Sequence, residues 1–182
     1  IADGYRMIKL DTVDNRIIDF EAIEKIKSCI QSSNAEIFVF SDFRHGIFNK
    51  STIDTFSNLL SKETFKVGDS QVASRWGNVL DFKNFDLITP NEREVRFALA
   101  DQDTVIKPLS DKILNASNTK CLLLKCGERG LICNTPSKNP WKQKNNFNSV
   151  DTFVQNLVDP VGAGDALLAY ATLSLHSSKR PV

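Results

Sequence analysis

Short apolar strand patterns alternate along the chain with segments whose apolar residues recur about every 3.6 positions, and this alternation is what most restricts the fold. Asp19–Ser32 has helical spacing, and Ala35–Phe40 reads as a buried strand. Leu109–Ala116 and Lys120–Cys126 repeat the same order. Such alternation favours an α/β fold with a mainly parallel central sheet and helices on both faces. Ligands of these sheets bind beyond the carboxyl ends of the strands.

Turn and polar segments divide the remaining elements. Gly127–Gly130 is a predicted turn of a strand hairpin, and Thr135–Ser149, which is polar and rich in asparagine, is a predicted surface loop. The other predicted strands are Tyr5–Leu10, Thr64–Val67, Asp86–Thr89, Leu131–Asn134 and Thr152–Val158. The other predicted helices are Lys50–Leu60, Glu92–Ala100 and Gly162–Leu175.

Composition excludes several classes of partner. The 182 residues suit one globular domain or a large part of one, and 23 basic against 22 acidic side chains give a net charge of +1. Such a balance has no electrostatic footprint for nucleic acid or an anionic membrane. Glu36 interrupts the longest apolar run, so we expect no membrane-spanning helix. The four cysteines form no CxxC pair, which predicts reduced thiols and a cytoplasmic protein without structural zinc.

The segment Gly162-Ala163-Gly164-Asp165 carries the strongest chemical signal. It follows a predicted strand and opens a predicted helix, whose first turn has unpaired N–H donors and a partial positive charge. Those donors suit a phosphate group, and the Asp165 carboxylate is available as a proton acceptor. Leu167 replaces the third glycine of a dinucleotide fingerprint, and Walker A and G-x-S-x-G motifs are absent. The alternative interpretation, an ordinary helix start with flexible glycines, is not excluded by these residues alone.

Three segments together resemble one known family. Asp159–Asp165 reads D-P-V-G-A-G-D and is similar to the D-T-x-G-A-G-D signature of the ribokinase-like carbohydrate kinases, often called PfkB. Thr89–Glu94 resembles their N-x-x-E motif, and Lys125–Gly130 resembles their glycine-containing turn after a strand. The resemblance implies a ribokinase-like fold. Family members are longer at both ends, so we expect residues 1–182 to be part of a single kinase domain, with residues 1–11 as a lid-type strand region.

The resemblance also implies an activity, which is ATP-dependent phosphoryl transfer to a hydroxyl of a sugar or sugar phosphate. The amides of Gly162, Ala163 and Gly164 would form the anion hole for the moving phosphoryl group, and Asp165 would be the base. A catalytically silent sugar- or nucleotide-binding module, and a kinase of a nucleoside or vitamin precursor, are the alternatives.

The same resemblance assigns the cofactor residues. Asn91 and Glu94 would lie near Mg²⁺ and the nucleotide phosphates, acting through water, although the same pair also fits a helix capping box. Lys125 and Gly127 would contact the nucleotide, and Lys125 stands where many relatives have Thr or Ser. Asp159 matches an aspartate that closes a monovalent-cation site in relatives, which makes K⁺ a candidate.

Two segments near the N-terminus resemble the heptose-phosphate kinases of lipopolysaccharide precursor synthesis. Ser41–Gly46 is similar to their S-D-Y-x-K-G loop, which makes Asp42, Arg44 and His45 candidate substrate-binding residues. An ordinary polar loop after a strand is the alternative. Tyr5–Asp11 is similar to their Q-x-x-x-R-x-D strand, and relatives dimerise through lid strands in this region, so a homodimer is expected.

Overall fold

Four parallel strands and an antiparallel extension form one six-stranded sheet. The computed structural model describes residues 16–43, 45–70, 79–137, 145–154 and 161–178. The spatial order of the strands follows their order in the chain. The first four pair in parallel, and the last two add as antiparallel neighbours. The strands are β1 Ile37–Asp42, β2 Phe65–Ser70, β3 Leu87–Ile88, β4 Cys121–Lys125, β5 Leu131–Thr135 and β6 Asn146–Val150.

Five α-helices accompany the sheet in the described residues, and most begin with a side-chain cap. They are α1 Phe20–Ser32, α2 Lys50–Asn58, α3 Glu92–Leu99, α4 Ile106–Ser117 and α5 Ala163–Ser178. The Asp19 carboxylate caps α1, and Asn49 and Asn91 cap α2 and α3 in reciprocal capping boxes. Each cap satisfies backbone N–H groups that the first helical turn leaves without a partner.

The sheet separates two apolar cores of unequal size. On one face, side chains from α1 to α4 pack around a buried aromatic group formed by Phe40, Phe82 and Phe85. On the other face, α5 packs Leu168 and Leu175 against alternate residues of the strands. Because successive strand residues point to opposite faces, β4 divides its side chains between the two cores. The predicted α/β sheet with helices on both faces is therefore confirmed.

The main departure from the predicted elements lies after the β4–β5 hairpin. Asn146–Ser149, the last part of the segment predicted as a polar loop, forms the edge strand β6 together with Val150 and pairs with β5. Four of its five residues are exposed, so its sequence lacks the apolar alternation of a half-buried strand. Residues 152–154 of the predicted last strand are not in a strand, and the rest of that segment lies outside the described residues.

Some predictions fall on residues that the structure does not describe. These are the strand Tyr5–Leu10 with the dimer expected there, Arg44 of the candidate substrate loop, and Asp159 of the candidate cation site. In the described part of the chain, no helix is long and apolar enough to cross a bilayer. All four cysteines are free thiols, and Cys29 is the exposed one.

Candidate active site

Three polar side chains meet at the carboxyl ends of the central strands. The Lys125 ammonium lies 3.0 Å from the Asp69 carboxylate, and the Thr89 hydroxyl donates a hydrogen bond of 2.7 Å to the same carboxylate oxygen. Asp69 is 4% exposed and Thr89 is fully buried. A buried carboxylate is costly unless it is paired and hydrogen-bonded, and here both conditions are met. We call Asp69, Thr89 and Lys125 the strand-end cluster.

The strand pleat explains why these three residues share one face. Val67, Leu87 and Leu123 all belong to the core under α5. Asp69, Thr89 and Lys125 each come two positions later along the chain, and side chains two positions apart in a strand point to the same side. Sequence reasoning missed Asp69 and Thr89 as functional candidates. The signal for them was a polar residue two positions after the apolar residue in each of three neighbouring strands.

The glycine-rich start of α5 lies beside this cluster. A Cβ atom placed on Gly164 would be 3.5 Å from the Lys125 ammonium nitrogen, so the helix start and the end of β4 are in close contact. Gly162 has a φ of +83°, a conformation that L-residues with side chains rarely adopt, and the space beside it is open. Asp165 lies in the first turn of α5 and is exposed to solvent rather than directed into the core.

The Asn91–Glu94 pair forms a complete capping box at the start of α3. The Asn91 side-chain oxygen accepts from the Glu94 backbone N–H at 2.9 Å, and the Glu94 carboxylate accepts from the Asn91 backbone N–H at 2.7 Å. The Asn91 side-chain amide also donates to the other Glu94 oxygen at 2.7 Å. Glu94 is 4% exposed. The capping interpretation is therefore confirmed, and a role near Mg²⁺ would have to operate through water.

A cleft of about 580 Å³ opens next to these residues. Three of the four predicted nucleotide-binding residues line it, namely Asn91, Lys125 and Gly127. Asn91 and Lys125 also pair as a parallel bridge, because the Lys125 N–H donates to the Pro90 carbonyl at 2.9 Å. The remaining lining residues are Glu92, Arg93, Arg96, Phe97, Gln102 and Cys126.

An ion-pair network fixes one wall of this cleft. The Arg96 guanidinium bonds the Glu92 carboxylate at 2.7 Å and also donates to three carbonyls of the segment after α3. Arg129, next to Gly127 in the hairpin turn, also pairs with Glu92. Partial burial would by itself raise the pKa of Glu92, but the hydrogen bond from Arg96 and the charge of Arg129 outweigh burial and lower that pKa. The wall is thus held by charged groups near neutral pH.

Two of the predicted substrate residues, Asp42 and His45, do not join the strand-end cluster. Asp42 is buried at the end of β1, but Phe40, two positions earlier, packs in the larger core, so the pleat places Asp42 on the face opposite Asp69. His45 lines a separate hollow of about 450 Å³ together with Arg16 and Asp19. In the ranges that the structure describes, no three His, Cys, Asp or Glu side chains are grouped closely enough to hold a metal ion by themselves.

The family profile described as pfkB family carbohydrate kinase matches residues 14–180. A search of curated proteins found no match.

Solved structures show the same fold at low sequence identity. Phosphofructokinase-2 from Escherichia coli, in complex with fructose-6-phosphate, superposes with a TM-score of 0.68 and 17% identity over 89% of this chain and 52% of its own. Ribokinase from Arabidopsis thaliana, complexed with ribose and ATP, gives a TM-score of 0.58 and 19% identity over 88% of this chain and 48% of its own. The chain therefore spans about half the length of these structures.

Proposed function

The chain belongs to the pfkB family of carbohydrate kinases, and from this premise we propose that it carries out ATP-dependent phosphoryl transfer to a hydroxyl of a sugar or sugar phosphate. One observation carries the proposal to particular residues. The first turn of α5, with its G-A-G-D sequence, lies against Lys125, and Lys125 lines the cleft that Asn91 and Gly127 share. An anion-binding helix start and a candidate nucleotide cleft are thus neighbours.

The proposed mechanism assigns binding and proton transfer to separate groups. Backbone amides of Gly162, Ala163 and Gly164 bind the negative charge that develops on the transferred group, as a helix N-terminus favours. Asp165 accepts the proton of the attacking sugar hydroxyl, and its exposure leaves it accessible to an acceptor. Phosphoryl transfer needs mainly positioning and charge stabilisation, which these groups supply without a covalent intermediate.

The cofactor assignments follow the family. ATP would occupy the cleft, with Gly127 against the nucleotide. Asn91 and Glu94 would hold Mg²⁺ through water, because their own oxygens already cap α3. Magnesium bound with ATP supplies charge neutralisation at the phosphates. Escherichia coli phosphofructokinase-2 has been solved in complex with potassium, and Asp159 is the residue we propose for a monovalent cation here.

The acceptor and the assembly are also proposed from the family resemblance. Asp42, Arg44 and His45 are proposed to face the sugar or sugar phosphate, and a heptose phosphate fits the resemblance of Ser41–Gly46. A homodimer through the strand Tyr5–Leu10 and a cytoplasmic location complete the proposal. A tetrameric inhibited form is known for phosphofructokinase-2, which supports self-association in this fold.

Replacement of the proposed base tests the mechanism directly. We expect Asp165→Asn to lower turnover of the intact protein by about 10²–10⁴-fold, the usual contribution of a general base, while ADP affinity stays near normal. The readout is coupled ADP release over a panel of sugars, sugar phosphates and nucleosides. Asp54→Asn, which changes an exposed carboxylate on α2, is the matched control and should behave as the native protein.

Three results would contradict the proposal. Near-native turnover by Asp165→Asn would remove this carboxylate from the reaction. Binding of nucleotide or sugar by the native protein without turnover over the whole panel would favour a silent binding module, and turnover confined to nucleosides would favour a nucleoside kinase.

A further inference from the structure

We propose that Asp69 is a positioning residue that holds the Lys125 ammonium at the phosphate end of the nucleotide cleft. This inference rests on the proposed function, because it assumes that the cleft takes a nucleotide. It adds two roles to that function. Asp69, a buried carboxylate outside the three motif segments, positions Lys125, and the fixed positive charge of Lys125 favours binding of phosphorylated nucleotides.

The backbone and the side chain of Lys125 are both fixed. Its N–H donates to the Pro90 carbonyl at 2.9 Å, which anchors the end of β4 against the segment that leads into α3. Its ammonium lies 3.0 Å from Asp69, and only 22% of the side chain is exposed. A surface lysine normally samples many rotamers, and holding one geometry costs side-chain entropy. Here the buried partner has already restricted the side chain before any ligand binds.

Asp69 is itself prepared for this role. Its side chain is 6% exposed, and the Thr89 hydroxyl donates to the same oxygen that pairs with Lys125. The carboxylate, at the end of β2, is therefore held at one position by a neutral donor, the Thr89 hydroxyl, and a charged donor, the Lys125 ammonium. Removing the lysine alone would leave a buried charge without its counter-ion, which is strongly destabilising. A variant that removes the Lys125 charge should therefore also remove the Asp69 charge.

The position of the ammonium points to an anionic ligand. It lies between the cleft and the start of α5, 3.5 Å from where a Gly164 Cβ would be. A lysine ammonium has three N–H donors. Among the described residues its bond to Asp69 accounts for one of them, so the others can reach phosphate oxygens at the helix start. The charge and the helix dipole would then act on the same group.

The test compares nucleotides that differ in phosphate content. The double variant Lys125→Met/Asp69→Asn removes both charges together and so avoids an unpaired buried carboxylate. Calorimetric titration with ADP and with adenosine should show ADP affinity reduced about tenfold, equivalent to about 1.4 kcal/mol, and adenosine affinity unchanged. Lys125→Arg should keep most of the ADP affinity. Asp69→Asn alone, which leaves the lysine but frees it, should weaken ADP binding severalfold.

A second ion pair, next to the other end of β4, provides the control. Lys120 and Asp86 pair at 2.6 Å at the opposite end of β4, with Asp86 buried like Asp69. Lys120→Met/Asp86→Asn therefore removes a second lysine–carboxylate pair, with a more exposed lysine, away from the cleft. It should leave both ADP and adenosine affinity at the native values.

The possible outcomes separate this inference from the proposed function. Equal ADP affinity in the native protein and in Lys125→Met/Asp69→Asn, or an equal loss for ADP and adenosine, would show that the pair only joins strands and would overturn the inference. No ADP binding by the native protein would overturn the nucleotide site and the inference with it. The expected loss for ADP alone, in a protein that phosphorylates no acceptor, would support the inference and contradict the kinase proposal.

Discussion

At the scale of single residues, the site depends on positions where a side chain is either unusually constrained or absent. Asp69 and Lys125 are constrained by burial and by each other. At Gly68, next to Asp69 in β2, there is no room for a side chain, since a Cβ there would be 2.7 Å from the Phe82 ring. Phe82 is fully buried and belongs to the aromatic group of the larger core. The strand that carries Asp69 therefore packs closely against the larger core.

We expect Gly68→Ala to destabilise the protein by about 1–3 kcal/mol, because overpacking forces a buried ring or the strand to shift. The measurement is the free energy of unfolding from urea denaturation. The double variant Gly68→Ala/Phe82→Leu should show a favourable coupling energy, since the smaller side chain leaves room for the methyl group. An unchanged free energy of unfolding in Gly68→Ala would contradict this packing argument.

At the scale of elements, the start of α3 combines a helix cap with the candidate site. Asn91 and Glu94 cap the helix, and Asn91 also lines the cleft. Helix α2 carries an equivalent capping box, formed by Asn49 and Thr52, but Asn49 does not line the cleft. The chain thus contains two similar caps, of which one adjoins the candidate site.

This duplication allows the two roles of Asn91 to be separated. Asn91→Ala and Asn49→Ala should each lower the free energy of unfolding by about 1 kcal/mol, the usual cost of a lost N-cap. Only Asn91→Ala should also weaken binding of Mg·ADP, as measured by calorimetry in the presence and absence of Mg²⁺. If both variants bind Mg·ADP equally well, Asn91 is a helix cap alone.

At the scale of the whole molecule, the two faces of the sheet differ in how much they bury. Among the elements that the structure describes, four helices cover the larger core and one, α5, covers the smaller core and exposes Tyr170 and Leu173 on its outer side. The proposed catalytic segment is therefore carried by the helix that packs on the smaller core. Regions with fewer buried apolar contacts open more readily.

We expect backbone amides of α5 to exchange with deuterium faster than those of α4. Leu168→Ala, which removes a side chain that joins α5 to the sheet, should speed exchange in α5 much more than in α4, because it leaves a cavity only in the smaller core. Mass-spectrometric hydrogen exchange measures both helices in one experiment. Ile113→Ala in α4 is the control and should affect the larger core instead. Equal acceleration in the two helices after Leu168→Ala would show that the cores open together.

The sequence by itself determined the alternation of strands and helices, the capping of α3 and the helix start at the G-A-G-D segment. These features depend on local rules: hydrophobic period, capping chemistry and the backbone freedom of glycine. The family resemblance also came from short contiguous motifs, and the family match confirmed it.

Only the tertiary structure decided which polar residues meet. Asp69 and Lys125 are 56 positions apart, and nothing local to either residue indicates the other. Their contact arises because β3 lies between β2 and β4 and because all three strands present the same parity of residues to α5. The edge strand β6 was missed for a related reason. The polar sequence of β6 does not indicate a strand, and β6 forms because it pairs with β5. Strand order and register are properties of the assembled sheet, and they place the charges of the site.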